Sequence, residues 1–172
     1  MKIIVEDTNI IIDLFNTGLL QFCKNMDIEF HTTNFVIKEI KKPEQRSTVK
    51  GLISNKELNM AVLNTEEMLQ LANLEEECRG TNNLSTADCS VVFLAEKLGS
   101  RLLTADQKLM HFAKKRGLEV SGLLWMIDEM VETGVVRPKE MVKYLKRYLE
   151  TNKSAPEKEV NKRIEEYKNT KQ

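Results

Sequence analysis

Residues 84–106, LSTADCSVVFLAEKLGSRLLTAD, decide how this chain must be read. Ser85 and Thr86 are residue types that cap a helix N-terminus, and Asp88 falls in the first turn, where a carboxylate suits the helix dipole. Val91, Val92, Leu94, Ala95 and Leu98 bury one face of that helix, and Gly99 closes it at C′. A short apolar strand follows, Leu102-Leu103-Thr104, and stops at Ala105-Asp106. The result is an α-β unit with one acid at the mouth of the helix and another at the carboxyl end of the strand. In an open parallel sheet that edge is where ligands bind.

Working outward, the N-terminus repeats the pattern. KIIVE at 2–6 reads as a buried strand rich in β-branched residues. Asp7-Thr8-Asn9 ends it, and a helix follows with Ile10, Ile11, Leu14 and Phe15. Asp7 reads either as a helix N-cap or as a second acid at a strand's carboxyl end. Asp13 lies six residues on, roughly 240° round the helix from Asp7, and reads as surface. Past Gly18, Leu19, Leu20 and Phe22 form a second short helix. IEFHT at 28–32 is the next strand, and Thr33 or Asn34 caps a helix carrying Phe35, Val36, Ile37 and Ile40. By itself Glu39 in that helix is a solvated acid. Lys41, Lys42, Arg46 and Lys50 around Pro43 make a basic, loop-rich segment, either plain surface or a contact for a phosphate backbone.

A third strand is expected at 58–63, then a helix opened by the pair Asn64 and Glu67 and carried by Met68, Leu69, Leu71, Ala72 and Leu74. Glu75-Glu76-Glu77 ends it; successive helix residues fan out by about 100° and cannot converge on one ion. Residues 80–83 read as the loop into the central stretch. Leu109, Met110, Phe112 and Ala113 make a further helix ended by Gly117, and 118–120 a last strand. Helices at 122–132, with Trp125 in the core, and from Pro138 through Leu149 complete the chain's ordered part. The tail from Thr151 is highly charged, with a thin stripe at Val160, Ile164 and Tyr167, so it reads as a frayed helix or as a segment that docks on a partner. The expected organisation is a domain over 1–150, with its core in 1–122 and helices over 123–150, followed by a charged tail over 151–172.

Bulk composition limits the function. The 172 residues carry 26 basic and 26 acidic side chains, so net charge exerts no global pull on nucleic acid, and any such binding needs a local basic face. The apolar run at the N-terminus is too short for a signal peptide, and no segment approaches a membrane span. Cys23, Cys78 and Cys89 show no CxxC spacing, and with only His31 and His111 beside them they point to buried thiols in a reducing cytoplasm rather than a zinc site. Glycine-rich phosphate loops are absent, as is any Ser-His-Asp or Cys-His arrangement.

Alternating short strands and helices predict an α/β fold, a three-layer α/β/α arrangement around a central, mostly parallel, Rossmann-like sheet, followed by C-terminal helices. Under that fold Asp7, Asp88 and Asp106 reach one edge, with no Lys or Arg beside them in sequence. Such a cluster repels itself, and a hard divalent cation that prefers oxygen ligands, Mg2+ or Mn2+, is its simplest neutraliser.

At this point the residues resemble the PIN domain family of metal-dependent ribonucleases, which includes the toxins of VapBC-type toxin–antitoxin pairs. The resemblance runs from Met1 to about Gly122 and rests on IIVEDTN with Asp7, FVIKEI with Glu39, LSTADCS with Asp88, and LLTAD with Asp106. It implies that Asp7, Glu39, Asp88 and Asp106 are the catalytic and metal-holding acids, with Thr8, Asn9 and Thr104 as supporting neighbours. It also implies a divalent-metal-dependent endoribonuclease that leaves a 5′-phosphate and a 3′-hydroxyl. For such an enzyme the basic side chains of Lys41, Lys42 and Arg46, or of Lys108 and Lys114–Arg116, are the candidates to hold the RNA backbone. A toxin role with a protein antitoxin, and a homodimer, are further expectations of the resemblance, with no membrane involved. The helices after Gly122 and the charged tail could serve either protein contact. The competing reading is a catalytically silent PIN-like module that binds RNA or protein. A phosphoacceptor receiver domain would need an Asp at the end of the third strand, which LNMAVLNT lacks, and a haloacid-type phosphatase would need a second acid where Asn9 stands.

Overall fold

The structure is a computed structural model and describes residues 2–79 and 83–170; most of the loop read at 80–83 lies outside them. In chain order the elements are β1 (Lys2–Glu6), α1 (Thr8–Thr17), a 3-10 helix (Leu20–Asn25), β2 (Ile28–Thr33), α2 (Asn34–Glu39) and α3 (Pro43–Ser54). Then come β3 (Asn59–Ala61), α4 (Thr65–Arg79), α5 (Thr86–Leu98), β4 (Arg101–Leu103), α6 (Gln107–Lys115), β5 (Val120–Ser121), α7 (Leu123–Glu132), α8 (Pro138–Thr151) and α9 (Glu157–Asn169).

The strands form one five-stranded sheet in the order β3-β2-β1-β4-β5, with every neighbouring pair parallel. Successive residues of a strand face opposite sides of a sheet. Ile4 and Val5 are 1% and 0% exposed, and Leu102 and Leu103 are both 0%, so both sides of the central strands are covered. Helices flank the sheet as a parallel arrangement requires. The chain leaves β1 toward β2 and β3, then crosses back to β4 on the other side of β1. The crevice between the carboxyl ends of β1 and β4 is therefore the topological switch point, the natural ligand site of an open α/β sheet.

Local chemistry sets the element ends. Ser85 and Asp88 form a full capping box at the start of α5, and Gly99 ends that helix in the left-handed region at φ 59°. Asn64 and Glu67 bond reciprocally at the start of α4, at 2.8 and 3.0 Å. Thr33 caps α2, its hydroxyl accepting the Val36 amide. The third strand is shorter than its apolar run, and the last strand pairs at Val120–Ser121 instead of 118–120.

The basic segment around Pro43 is not a loop. Pro43 occupies the first turn of α3, where its missing N–H costs nothing, and Gln45 and Val49, four residues apart, bury one side of the helix.

By its internal contacts the chain divides into two compact units, residues 1–10 with 27–122, and residues 11–26 with 123–172. The first holds the sheet and the acid edge. In the second, α8 packs against α9 and α7, and Phe22 meets Tyr144 edge to face with ring centres 5.5 Å apart. The charged tail forms α9, with Val160 and Ile164 buried. Arg163 grips both oxygens of Asp128 at 2.7 and 2.6 Å, and the Tyr167 hydroxyl donates to the same carboxylate at 2.7 Å. This polar clamp supplements a stripe too thin to hold the helix by burial alone. Trp125, expected in the core, is half-buried.

Asp13 is not at the surface. It is 5% exposed, and the Asn152 amide donates to both its oxygens at 3.0 Å. Burial outweighs those bonds and pushes its carboxyl up to about 6. The folded chain thus holds this proton more tightly than the unfolded chain, so the Asp13 contribution to stability falls as pH rises from about 4 to 6 and stays lost above. After solvent screening the effect is on the order of 1 kcal/mol. Denaturant unfolding at pH 4 and pH 7 should show Asp13→Asn losing less stability over that interval than the wild type; equal losses would refute this account.

Candidate metal centre

Four elements deliver acids to the carboxyl edge of the sheet. Asp7 follows β1 directly, and its amide continues the β1–β4 ladder by donating to the Leu103 carbonyl at 3.0 Å. The side chain is only 2% exposed. Its Oδ1 accepts the Thr8 amide at 2.6 Å, and its Oδ2 accepts the Asn9 amide at 2.5 Å and the Thr104 hydroxyl at 2.8 Å. Asp7 thus stands at the strand end, and its side chain meets the first amide of α1 rather than the second or third, which a helix N-cap would take.

Asp106 caps α6, with Oδ1 taking the amides of Lys108 and Leu109 at 2.7 and 3.0 Å. Its own amide donates to the Thr104 hydroxyl at 3.1 Å. Asn9 ties the same two strand ends together, its Oδ1 accepting the Ala105 amide at 2.8 Å. Asp88 sits in the first turn of α5, where Oδ2 accepts the Ser85 amide at 2.8 Å. Glu39, the last residue of α2, accepts the Thr8 hydroxyl at 2.8 Å on Oε2 and the Ser85 hydroxyl at 3.5 Å on Oε1.

The electrostatics are those of an uncompensated cluster. Burial pushes the Asp7 carboxyl up to about 6, with further upward pressure from Asp88 and Glu39 against the lowering bonds from Thr104 and Thr8. Burial also raises Asp88, and Asp106 and Glu39 add to it. Among the described residues no ion pair involves Asp7, Glu39, Asp88 or Asp106. All the donors are anionic oxygens, which fit a hard divalent cation in kind. Among the described residues no three such side chains stand close enough together to hold an ion as they are.

Two residues at this edge escaped the sequence reading in their full role. Ser85 was legible as a helix cap through the Ser-x-x-Asp pattern, but its hydroxyl also reaches Glu39, linking α5 to α2. Glu6, beside Asp7, is 3% exposed with Oε1 unbonded, and burial pushes its carboxyl up to about 8. The basic residues are less uniform. Lys41, Lys42, Arg46 and Lys108 are exposed, and Arg46 also directs Nε and Nη2 to the Ile40 carbonyl at 3.0 and 2.7 Å and so braces the end of α2.

The site thus defines a parallel α/β domain that gathers carboxylates at its switch point, without ion pairs to balance them among the described residues. The chain belongs to the PIN domain family: a family model described as DUF3368, PIN domain, matches residues 3–169. The chain is also 27% identical over 111 residues, 64% of its length, to the Endoribonuclease Nob1 of Pyrococcus abyssi (strain GE5 / Orsay), covering 69% of that protein. Among solved structures it matches the crystal structure of FitAcB from Neisseria gonorrhoeae at 11% identity and a TM-score of 0.44, over 68% of this chain and 95% of that one.

Ser85→Ala removes both the α5 cap and the Glu39 contact. Loss of the cap should cost about 1 kcal/mol and lower Tm by a few degrees. Scanning calorimetry showing no change would mean that the capping box contributes nothing here.

Proposed function

We propose that this PIN domain is a divalent-metal-dependent endoribonuclease, with Asp7, Glu39, Asp88 and Asp106 holding Mg2+ or Mn2+. The observation that carries the proposal is the mutual, unbalanced charge of these acids at the switch-point edge. A bound ion would supply Lewis acidity toward a phosphodiester and lower the pKa of a coordinated water. The chain's own residues do the rest. Thr104 and Asn9 aim the Asp7 carboxylate; the α6 amides hold one oxygen of Asp106; Ser85 and Thr8 fix Glu39 between α5 and α1. Exposed Lys41, Lys42 and Lys108 flank the edge and would hold the RNA backbone without reading its sequence. The similarity to an endoribonuclease supports RNA as the substrate.

The finer reading, a cytoplasmic toxin restrained by an antitoxin protein, rests on the family resemblance. Three buried cysteines, Cys23, Cys78 and Cys89, suit a reducing compartment, and among the described residues no helix is long and apolar enough to cross a membrane. The wild type should arrest growth on expression, and Asp7→Asn should not. One observation favours a silent binding module instead: the acids do not converge as they stand.

Calorimetric titration of Mn2+ into the wild type and Asp106→Asn, alongside cleavage of end-labelled RNA, separates the readings. The nuclease reading expects binding and cleavage in the wild type, with cleavage reduced at least about a hundredfold in the variant, on the order of 3 kcal/mol of lost transition-state stabilisation. Binding without cleavage supports the module, and no binding overturns the metal site.

A further inference from the structure

Two of the three cysteines meet inside the first unit. Leu71, Leu74 and Cys78 form the buried stripe of α4, at helical spacings of three and four, and α4 packs against α5. The stripe carries the Cys78 thiol to 3.4 Å from the Cys89 thiol, with the two residues 1% and 0% exposed. Cys23 belongs to the other unit. A disulfide holds its sulfurs about 2.05 Å apart, so closing by about 1.4 Å would join the pair.

The surroundings favour one order of events. Burial raises both thiols, so the closed pair reacts slowly. Cys78, however, is the second-to-last residue of α4, and the last turn of a helix opens more readily than its middle. A water-sized oxidant therefore meets Cys78 first. Glu75 lies on the same side of α4, three residues before Cys78, with Oε1 buried and unbonded. Its carboxylate gives the chain its own acceptor for the thiol proton.

We propose that Cys78 and Cys89 are a disulfide site, closed by hydrogen peroxide, that locks the end of α4 to the first turns of α5. Cys78 gives its proton to Glu75, and its sulfur attacks one peroxide oxygen. The O–O bond breaks, and the departing hydroxide takes the proton back as water, leaving a sulfenic acid on Cys78. The Cys89 sulfur then attacks the Cys78 sulfur, the S–O bond breaks, and the hydroxyl leaves with the Cys89 proton as a second water. The two thiols lose two electrons, and one peroxide becomes two waters. The Asn83 amide already donates to the Cys78 carbonyl at 3.2 Å at the base of the ring so closed. That ring contains Ser85 and Asp88, so oxidation ties the α5 capping box covalently to α4. The bond forms whether or not the acid edge cleaves RNA.

The test is to treat the full chain with hydrogen peroxide, alkylate it under denaturing conditions and map its peptides by mass without reduction. A peptide pair joined through Cys78 and Cys89, lighter by two hydrogens than its parts and released by dithiothreitol, should appear while Cys23 is alkylated. The oxidised chain should melt roughly 5–10 °C above the reduced one. Cys23→Ala should form the bond unchanged, and Cys78→Ala should form none. A link through Cys23, a disulfide-linked dimer, sulfinic acid on Cys78 with Cys89 still alkylated, three alkylated thiols after peroxide, or an oxidised chain no more stable than the reduced one would each overturn the proposal.

Discussion

The Thr104 hydroxyl is the point on which the acid edge depends. It is fully buried, donates to Asp7 at 2.8 Å, and accepts the Asp106 amide at 3.1 Å and the Asn9 side-chain amide at 3.4 Å. One small polar group thereby relates the ends of β1 and β4 and the start of α6. A buried hydroxyl that uses both its donor and its acceptors is directional. It can hold this arrangement only because β1 and β4 are neighbours, with Glu6 in register with Leu103.

Some acids elsewhere in the chain have a cationic partner, whereas buried Asp13 is held by the neutral Asn152 amide. Asp128 receives Arg163 and Tyr167, and Glu96 and Glu77 share Arg116. At the switch point the same fold withholds such partners and offers only neutral donors, from Ser85, Thr8, Asn9, Thr104 and backbone amides. Those donors orient carboxylates without cancelling their charge. The buried Glu6 next to Asp7, with Oε1 unbonded, adds to the polar cost concentrated here.

Much of the fold was legible because it is local. The capping boxes at Ser85 and Asn64, the left-handed Gly99 and the β-branched run of β1 each announce themselves within a few residues. The errors are equally instructive. Pro43 amid lysines looked like a loop because its helix is only weakly amphipathic, with Gln45 and Val49 as the buried pair. Asp13 looked exposed because helical spacing from Asp7 is blind to Asn152, which is 139 residues away in sequence. Glu39 carried no signal of its own; the family resemblance singled it out, and its contacts with Thr8 and Ser85 come from three separate elements.

By itself the sequence determined the order of strands and helices, the parallel α/β class, and which acids end strands or begin helices, since periodicity, caps and turns depend on residues within about one helical turn of each other. Only the tertiary structure decided that β1 lies between β2 and β4, that Asp7 meets Thr104 across 97 positions, and that β3 is left as an open edge. Strand order is a competition among long-range pairings whose outcome rests on packing both sheet faces at once, and no short stretch of sequence contains that information.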